Sequence, residues 1–216
     1  MKNKYILIVL GEPYSTFSEI LGKYFFEKKK HKNKKIIIIG NKSLFKRQLT
    51  KLKYKLELNQ IKDLREAKNN IINIIDIDFK FEEIFEKIST KSNKYIEKSF
   101  DKALEILKNL KNKAFLINGP ISKKTFLKKK YLGITEYLSK KTNSSNEVML
   151  IYNEELSVSP ITTHIPIKYV SKKIKKEKII SNVRKLDSFY KNVLKKKAKF
   201  AILGLNPHCE TIDKFS

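Results

Sequence analysis

Short, continuous apolar runs, each closed by glycine and separated by stretches of helical periodicity, constrain this chain more than any other feature. Tyr5 to Leu10 is such a run and ends at Gly11; Lys35 to Ile39 is a second and ends at Gly40. A strand with only one buried face alternates apolar and polar residues. A strand buried on both faces reads as an unbroken apolar run, and such strands belong to parallel sheets covered by helices on either side. Between the two runs, Phe17, Ile20, Leu21 and Tyr24 fall at helical spacing and predict a helix over Phe17–Phe26. The fold class is therefore α/β with a parallel sheet.

Further elements follow the same logic. Ile71–Ile77 reads as a more polar strand, because Asn73 and Asp76 interrupt it. Ser92–Leu110 is the strongest helix, with an apolar stripe at Ile96, Phe100, Ala103, Leu107 and Leu110. Ala114–Ile117 is a short strand broken by Asn118-Gly119-Pro120, and a helix is expected just past that turn. Val148–Tyr152 and Ser157–Thr162 read as two strands. A long helix is expected from about Ser171 to Leu194, with a stripe at Ile179, Val183, Leu186 and Tyr190. Phe200–Leu203 reads as a last strand, opening into Gly204-Leu-Asn-Pro-His208.

Charge has to be read with care. The 216 residues carry a formal net charge of +26. Of the 48 basic residues only Arg47, Arg65 and Arg184 are arginine. Nucleic-acid readers favour arginine, whose planar fork grips phosphate and guanine. Here dispersed lysine runs, such as Lys28–Lys30, Lys128–Lys130 and Lys195–Lys197, read as a solvated coat. The expectation is no specific nucleic-acid partner, and a nucleic-acid-binding protein is the least favoured function. Apolar runs fall far short of the roughly 20 residues that span a bilayer. Neither a membrane span nor a signal peptide is expected, and the single cysteine, Cys209, fits a reducing cytoplasm.

The chain has three histidines. His31 sits in a lysine-rich stretch and reads as an exposed loop residue. His164 and His208 each follow an expected strand, and parallel α/β folds gather ligands at the carboxyl ends of strands. Neutral imidazole is a common ligand for divalent metals. Their spacing matches no local metal motif, however, and on spacing alone a hydrogen bond within its loop is the favoured reading of each histidine.

Five segments, in order, carry a resemblance. Gly11-Glu12-Pro13, Asn118-Gly-Pro-Ile-Ser-Lys123, Gly133-Ile-Thr-Glu136, Thr162-Thr-His-Ile-Pro166 and Gly204-Leu-Asn-Pro-His208 together resemble the 4-hydroxythreonine-4-phosphate dehydrogenases. The resemblance implies the two-lobed α/β/α sandwich of the isocitrate and isopropylmalate dehydrogenases. It implies that residues 1–216 are the N-terminal two-thirds of one such domain, with a lobe boundary near 118–125. It implies NAD or NADP as cofactor and a divalent metal (zinc, magnesium or cobalt) on His164 and His208. Thr135 is implied to contact a small phosphorylated substrate, Lys123 is a candidate for the same anion, and the family's sites form within a homodimer. The third metal ligand and the nicotinamide site would lie beyond Ser216, and no general base is assigned. Glu12 and Glu136 are candidates for carboxylates that hold a ligand or a lysine in place, or for caps and turns.

The sequence departs from the family pattern at Ile134, where the family has a histidine able to bond substrate. It also departs after Gly11-Glu12-Pro13, where Tyr14-Ser-Thr-Phe17 replaces a glycine-rich continuation. The expected reaction is oxidation of 4-phosphohydroxy-L-threonine to a 2-amino-3-oxo acid that decarboxylates, on the route to pyridoxal phosphate. The alternatives are a related dehydrogenase for another phosphorylated hydroxy acid, motivated by Ile134, or an inactive fragment.

Overall fold

The computed structural model describes residues 5–27, 35–110, 114–128, 130–144 and 147–204. The chain forms two compact units, Met1–Asn143 and Ser144–Ser216. The expected lobe boundary near 118–125 falls inside the first of them.

The first unit is a five-stranded sheet in which every recorded pairing is parallel. Its strands are β1 (Tyr5–Val9), β2 (Lys35–Gly40), β3 (Leu58–Gln60), β4 (Ile72–Asp76) and β5 (Ala114–Asn118), in the spatial order β3-β4-β2-β1-β5. Strands β1 and β2 are buried on both faces, which explains their unbroken apolar runs, whereas Phe115 and Ile117 of β5 stay exposed. Leu7 and Val9 of β1 and Ile37 and Ile39 of β2 point to one side, against α3 (Asn93–Leu110). Ile8, Ile36 and Ile38 point to the other, against α1 (Phe17–Glu27) and α2 (Lys42–Lys51). This period-two division is the strand's own geometry, and it means that each isoleucine of β2 is spent on one core or the other.

Two details separate the structure from the expectation. The buried face of α3 is Tyr95, Ile96, Ser99, Phe100, Ala103 and Ile106, with Leu107 and Leu110 only partly covered. The stripe is thus rotated slightly towards Tyr95. Asn73, which made β4 look polar, is completely buried and fully engaged. Its Oδ1 accepts from the Lys68 and Asn59 side of the sheet edge, at 2.9 Å each, and its Nδ2 donates to the Lys68, Ile71 and Ile36 carbonyls. One side chain therefore supplies backbone partners that the connection from β3 to β4, whose regular structure is one 3-10 turn over Leu64–Glu66, does not supply itself.

A helix does not follow Asn118-Gly119-Pro120 directly. Residues 123–126 form a turn, in which Ser122 accepts from Thr125 and Phe126, and α4 begins only at Ile134 and runs to Lys141. Lys123 therefore does not sit at a helix N-terminus, and the anion site argued from that placement loses one of its two supports.

The second unit is sparse in regular structure. The strands expected at Val148–Tyr152 and Ser157–Thr162 reduce to a single antiparallel bridge, Ile151 with Val158, and Phe200–Leu203 forms no regular element. An apolar run becomes a strand only where a neighbour completes its backbone hydrogen bonds. Apart from that bridge, none of the described residues of this unit does so, and Ile202 and Leu203 remain 66% and 88% exposed. The long helix is divided into α5 (Val170–Lys173), α6 (Lys176–Phe189) and a π turn over Tyr190–Leu194. The break at Ile174–Lys175 falls within Lys172, Lys173, Lys175, Lys176 and Lys178, where like charges three and four residues apart oppose a continuous helix. Within α6 the expected stripe holds: Leu186 is buried, and Ile179 and Val183 are half-buried.

Candidate active site

The sheet order locates a crevice. From β1 the chain builds outward through β2 to β3 and β4 on one side, with α1 and α2 on one face; α3 then carries it across the other face to β5 on the opposite side of β1. The order reverses between β1 and β5. In open α/β sheets, ligands bind outside the carboxyl ends of strands at such a switch point.

Two of the five sequence segments meet there. Val9 and Asn118 are register partners at the ends of β1 and β5. Beyond them, the Gly119 N–H donates to the Val9 carbonyl at 2.7 Å, and the Glu12 N–H donates to the Pro120 carbonyl at 2.8 Å. Both glycines are demanded by this approach. Gly11 has φ +70°, and a Cβ on it would lie 2.4 Å from the Pro120 oxygen; one on Gly119 would lie 2.2 Å from the Leu10 oxygen. Gly11-Glu12-Pro13 and Asn118-Gly119-Pro120 are thus a mated pair of loops, although 107 positions separate Gly11 from Asn118 (118 − 11).

Glu12 is the buried carboxyl group of this junction, only 2% exposed. Its Oε2 lies 3.0 Å from the hydroxyl of Ser92, which precedes α3. Burial raises its pKa above the ordinary carboxylate value; hydrogen bonding with Ser92 and with the Tyr14 backbone acts the other way and is smaller. Glu12 also lines a narrow cleft with Ser18, Asn41, Gln48 and Tyr95, with room for about one water molecule. Asn41 caps α2 by accepting from Leu44, while its own N–H donates to the Tyr95 hydroxyl. Burial pushes that hydroxyl above the ordinary tyrosine value. Ser18, Ser92 and Tyr95 were not singled out by sequence, because nothing in their neighbours marks them.

Lys123 is exposed, on the turn that leaves this crevice, and Asn93 ties the turn to α3 by donating to the Thr125 carbonyl at 3.0 Å. Gly133 is the N-cap of α4, so Ile134, Thr135 and Glu136 occupy its first turn. Ile134 packs on the α3-side core, and Thr135 is half-buried. Glu136 folds back over Gly133, where a Cβ would stand 3.2 Å from its Oε2; this is the conduct of a helix-start residue.

In the second unit His164 is exposed and adopts a left-handed backbone, φ +55°. Residues other than glycine rarely take that conformation unless the local structure requires it. His208 and Cys209, and likewise His31, lie outside the described residues. Among the described residues there is no group of three histidine, cysteine or acidic side chains placed to hold a metal ion. His164 alone thus offers an accessible imidazole that could serve as one ligand.

A parallel α/β sheet with paired glycine loops at its switch point is a scaffold that gathers ligands at the carboxyl ends of its strands. The family model described as pyridoxal phosphate biosynthetic protein PdxA matches residues 32–211, and the chain belongs to that family. It is 34% identical over 209 residues to the 4-hydroxythreonine-4-phosphate dehydrogenase of Sulfurihydrogenibium sp. (strain YO3AOP1), an alignment covering 94% of this chain and 63% of that protein. It is 24% identical over 213 residues to a Fusobacterium nucleatum protein provisionally named D-threonate 4-phosphate dehydrogenase, covering 94% and 62%. A Salmonella typhimurium structure provisionally described as a 4-hydroxythreonine-4-phosphate dehydrogenase superposes with a TM-score of 0.80 at 24% identity, covering 96% of this chain and 65% of that one. That likeness bears on the fold, which is the isocitrate and isopropylmalate dehydrogenase type expected from the sequence. The chain spans somewhat under two-thirds of the length of these relatives.

Proposed function

We propose that this chain supplies the N-terminal part of a dehydrogenase that oxidises 4-phosphohydroxy-L-threonine with NAD or NADP, on the route to pyridoxal phosphate. The product is a 2-amino-3-oxo acid that loses carbon dioxide to give 3-amino-2-oxopropyl phosphate. The observation that carries this reading is the mating of Gly11-Glu12-Pro13 with Asn118-Gly119-Pro120 at the switch point, in a chain of this family. The working protein is read as a cytoplasmic homodimer, and no helix among the described residues is long and apolar enough to cross a membrane.

Each residue has a part in this reading. His164 and His208 would hold a divalent cation, which supplies Lewis acidity towards the substrate's secondary alcohol. Thr135 donates its hydroxyl to the substrate phosphate from the first turn of α4, where backbone N–H groups also favour an anion. Lys123 is exposed and adds a positive charge on the neighbouring turn. Ile134 lends no donor, so the polar contacts fall to Thr135 and Lys123. The loops after β1 and β5 hold the crevice in shape, with each glycine allowing the other loop to approach.

Ile134 also favours a second reading, a dehydrogenase for another phosphorylated hydroxy acid such as D-threonate 4-phosphate. The test is direct. Protein expressed from its whole reading frame is supplied with each substrate in turn, NAD or NADP, and zinc, magnesium or cobalt, and reduced nicotinamide is followed. Turnover of 4-phosphohydroxy-L-threonine at the higher kcat/KM supports the first reading. Preference for D-threonate 4-phosphate selects the second, and turnover of neither overturns both.

A further inference from the structure

The hydroxyl of Ser92 has two oxygen neighbours and one proton to give. Its Oγ is 3.0 Å from Glu12 Oε2 and 3.1 Å from the Ser89 carbonyl oxygen. A carbonyl oxygen only accepts. If Ser92 donates to Ser89, then the short contact with Glu12 is a hydrogen bond only when the carboxyl group brings its own proton. Were Glu12 ionised, one proton would serve two acceptors, and a negative charge would stand in a site 2% exposed.

The other carboxyl oxygen leads to the same protonation state. Glu12 Oε1 has no protein hydrogen-bond partner among the described residues, and neither does Ser18 Oγ, on a residue 6% exposed. Both residues line the same narrow cleft. With room for about one water molecule there, an ionised oxygen would remain under-solvated and is more costly than a neutral carbonyl oxygen. Among the described residues the side chains facing Glu12 offer no countercharge, and the Tyr14 backbone N–H, which favours the ionised form, acts more weakly than burial opposes it. Tyr14 and Tyr95 are neutral phenols, Asn41, Gln48 and Ser15 are uncharged, and the charges acting on those tyrosines, besides Glu12 once it ionises, are acidic: Asp76, Glu82 and Glu86. Lys91, a basic group nearby, acts on Glu86.

We propose that Glu12 is a neutral carboxylic acid whose Oε2 proton is donated to Ser92, which in turn donates to Ser89, and that this proton chain latches the loop after β1 to the start of α3. Glu12 is then a positioning residue. Its side chain fixes the loop on α3, and its backbone N–H holds the Pro120 carbonyl of the loop after β5. Loss of the proton breaks the relay and drives the carboxylate to seek water, which pulls on the Glu12–Pro120 bond. Burial as the leading influence on this group acts in the same direction. The inference concerns the scaffold and stands whichever substrate the enzyme takes.

The sign of the pH effect follows. A group whose folded pKa is raised keeps its proton longer in the fold than in the open chain. Stability is complete below the ordinary glutamate value of 4.5, falls as pH rises from there to the folded value, and then levels.

The whole protein, labelled with ¹³C at glutamate carboxyl carbons, tests this. The Glu12 resonance, assigned by its loss in Glu12→Gln, is expected to titrate above the ordinary glutamate range. Protection of the Glu12 and Gly119 amides against hydrogen exchange, corrected for intrinsic rate, is expected to fall at least tenfold through the same midpoint. Glu12→Gln stays neutral, can donate to Ser92, and is expected to keep its protection across that range. A Glu12 resonance titrating at or below the ordinary value overturns the proposal. So does an equal loss of protection with pH in Glu12→Gln. The wild-type titration decides the matter even if the variant folds poorly.

Discussion

Gly11 and Pro120 approach so closely that no other residue fits in place of the glycine: a Cβ there would stand 2.4 Å from the Pro120 carbonyl oxygen. The same glycine has φ +70°, so a side chain is opposed by its own backbone as well as by its neighbour. Gly11→Ala is therefore expected to destabilise the protein by about 1–3 kcal/mol. Urea denaturation measures it. A change under about 0.5 kcal/mol would show that the two loops can part without cost, and would weaken the crevice as a rigid feature.

Asn73 gives a sharper contrast between types of replacement. The side chain is completely buried and serves Lys68, Asn59, Ile71 and Ile36 at once. Asn73→Ala leaves several of those groups without a partner, and the expected loss is roughly 2–4 kcal/mol. Asn73→Asp keeps the acceptor that Lys68 uses and loses the donors, so it is expected to fare no better. Stability unchanged in Asn73→Ala, with amide exchange near Lys68 unaltered, would mean that water replaces the side chain.

The metal reading divides affinity from stability. His164 is exposed, so in the whole protein His164→Ala is expected to change folding stability by less than about 0.5 kcal/mol. Calorimetric titration with zinc should nevertheless show at least a tenfold loss of affinity, and turnover should vanish. His208→Ala is expected to lose affinity and turnover in the same way. Two imidazoles on one zinc place their nitrogens roughly 3–3.5 Å apart, given bonds of about 2.0–2.1 Å. Undiminished zinc affinity in either variant would remove that histidine from the ligand set.

The lysine coat is expected to bind nucleic acid weakly and without regard to sequence. Raising salt from about 50 to 200 mM should abolish most of that binding, since the attraction comes from displaced counterions. Titrations with several duplexes and single strands measure it. Tight binding to one sequence that survives physiological salt would contradict the coat and reopen a nucleic-acid role.

Local information was enough for the strands that are buried on both faces. Tyr5–Val9 and Lys35–Gly40 need apolar residues in succession, and that demand is written directly into their composition, while Ile72–Asp76 stayed legible through its isoleucines in spite of Asn73. The helix at Asn93–Leu110 was legible for a similar reason, since its periodicity is fixed by its own geometry. Elements that depend on a partner were not. Val148–Tyr152, Ser157–Thr162 and Phe200–Leu203 have strand-like composition, yet composition does not say whether a neighbouring strand is present to bond them.

The same division runs through the candidate site. Sequence by itself determined the fold class and the ordered segments that mark the family, including Gly11, Gly119, Thr135 and His164, because each is a local choice of residue. Only the tertiary structure decided that Gly11 meets Pro120, that Ile134 turns to the core, and that Glu12 shares a hydroxyl with Ser92, 80 positions away. Such contacts are set by the order of strands in the sheet and by which loops that order brings side by side, and no residue's neighbours in sequence carry that information.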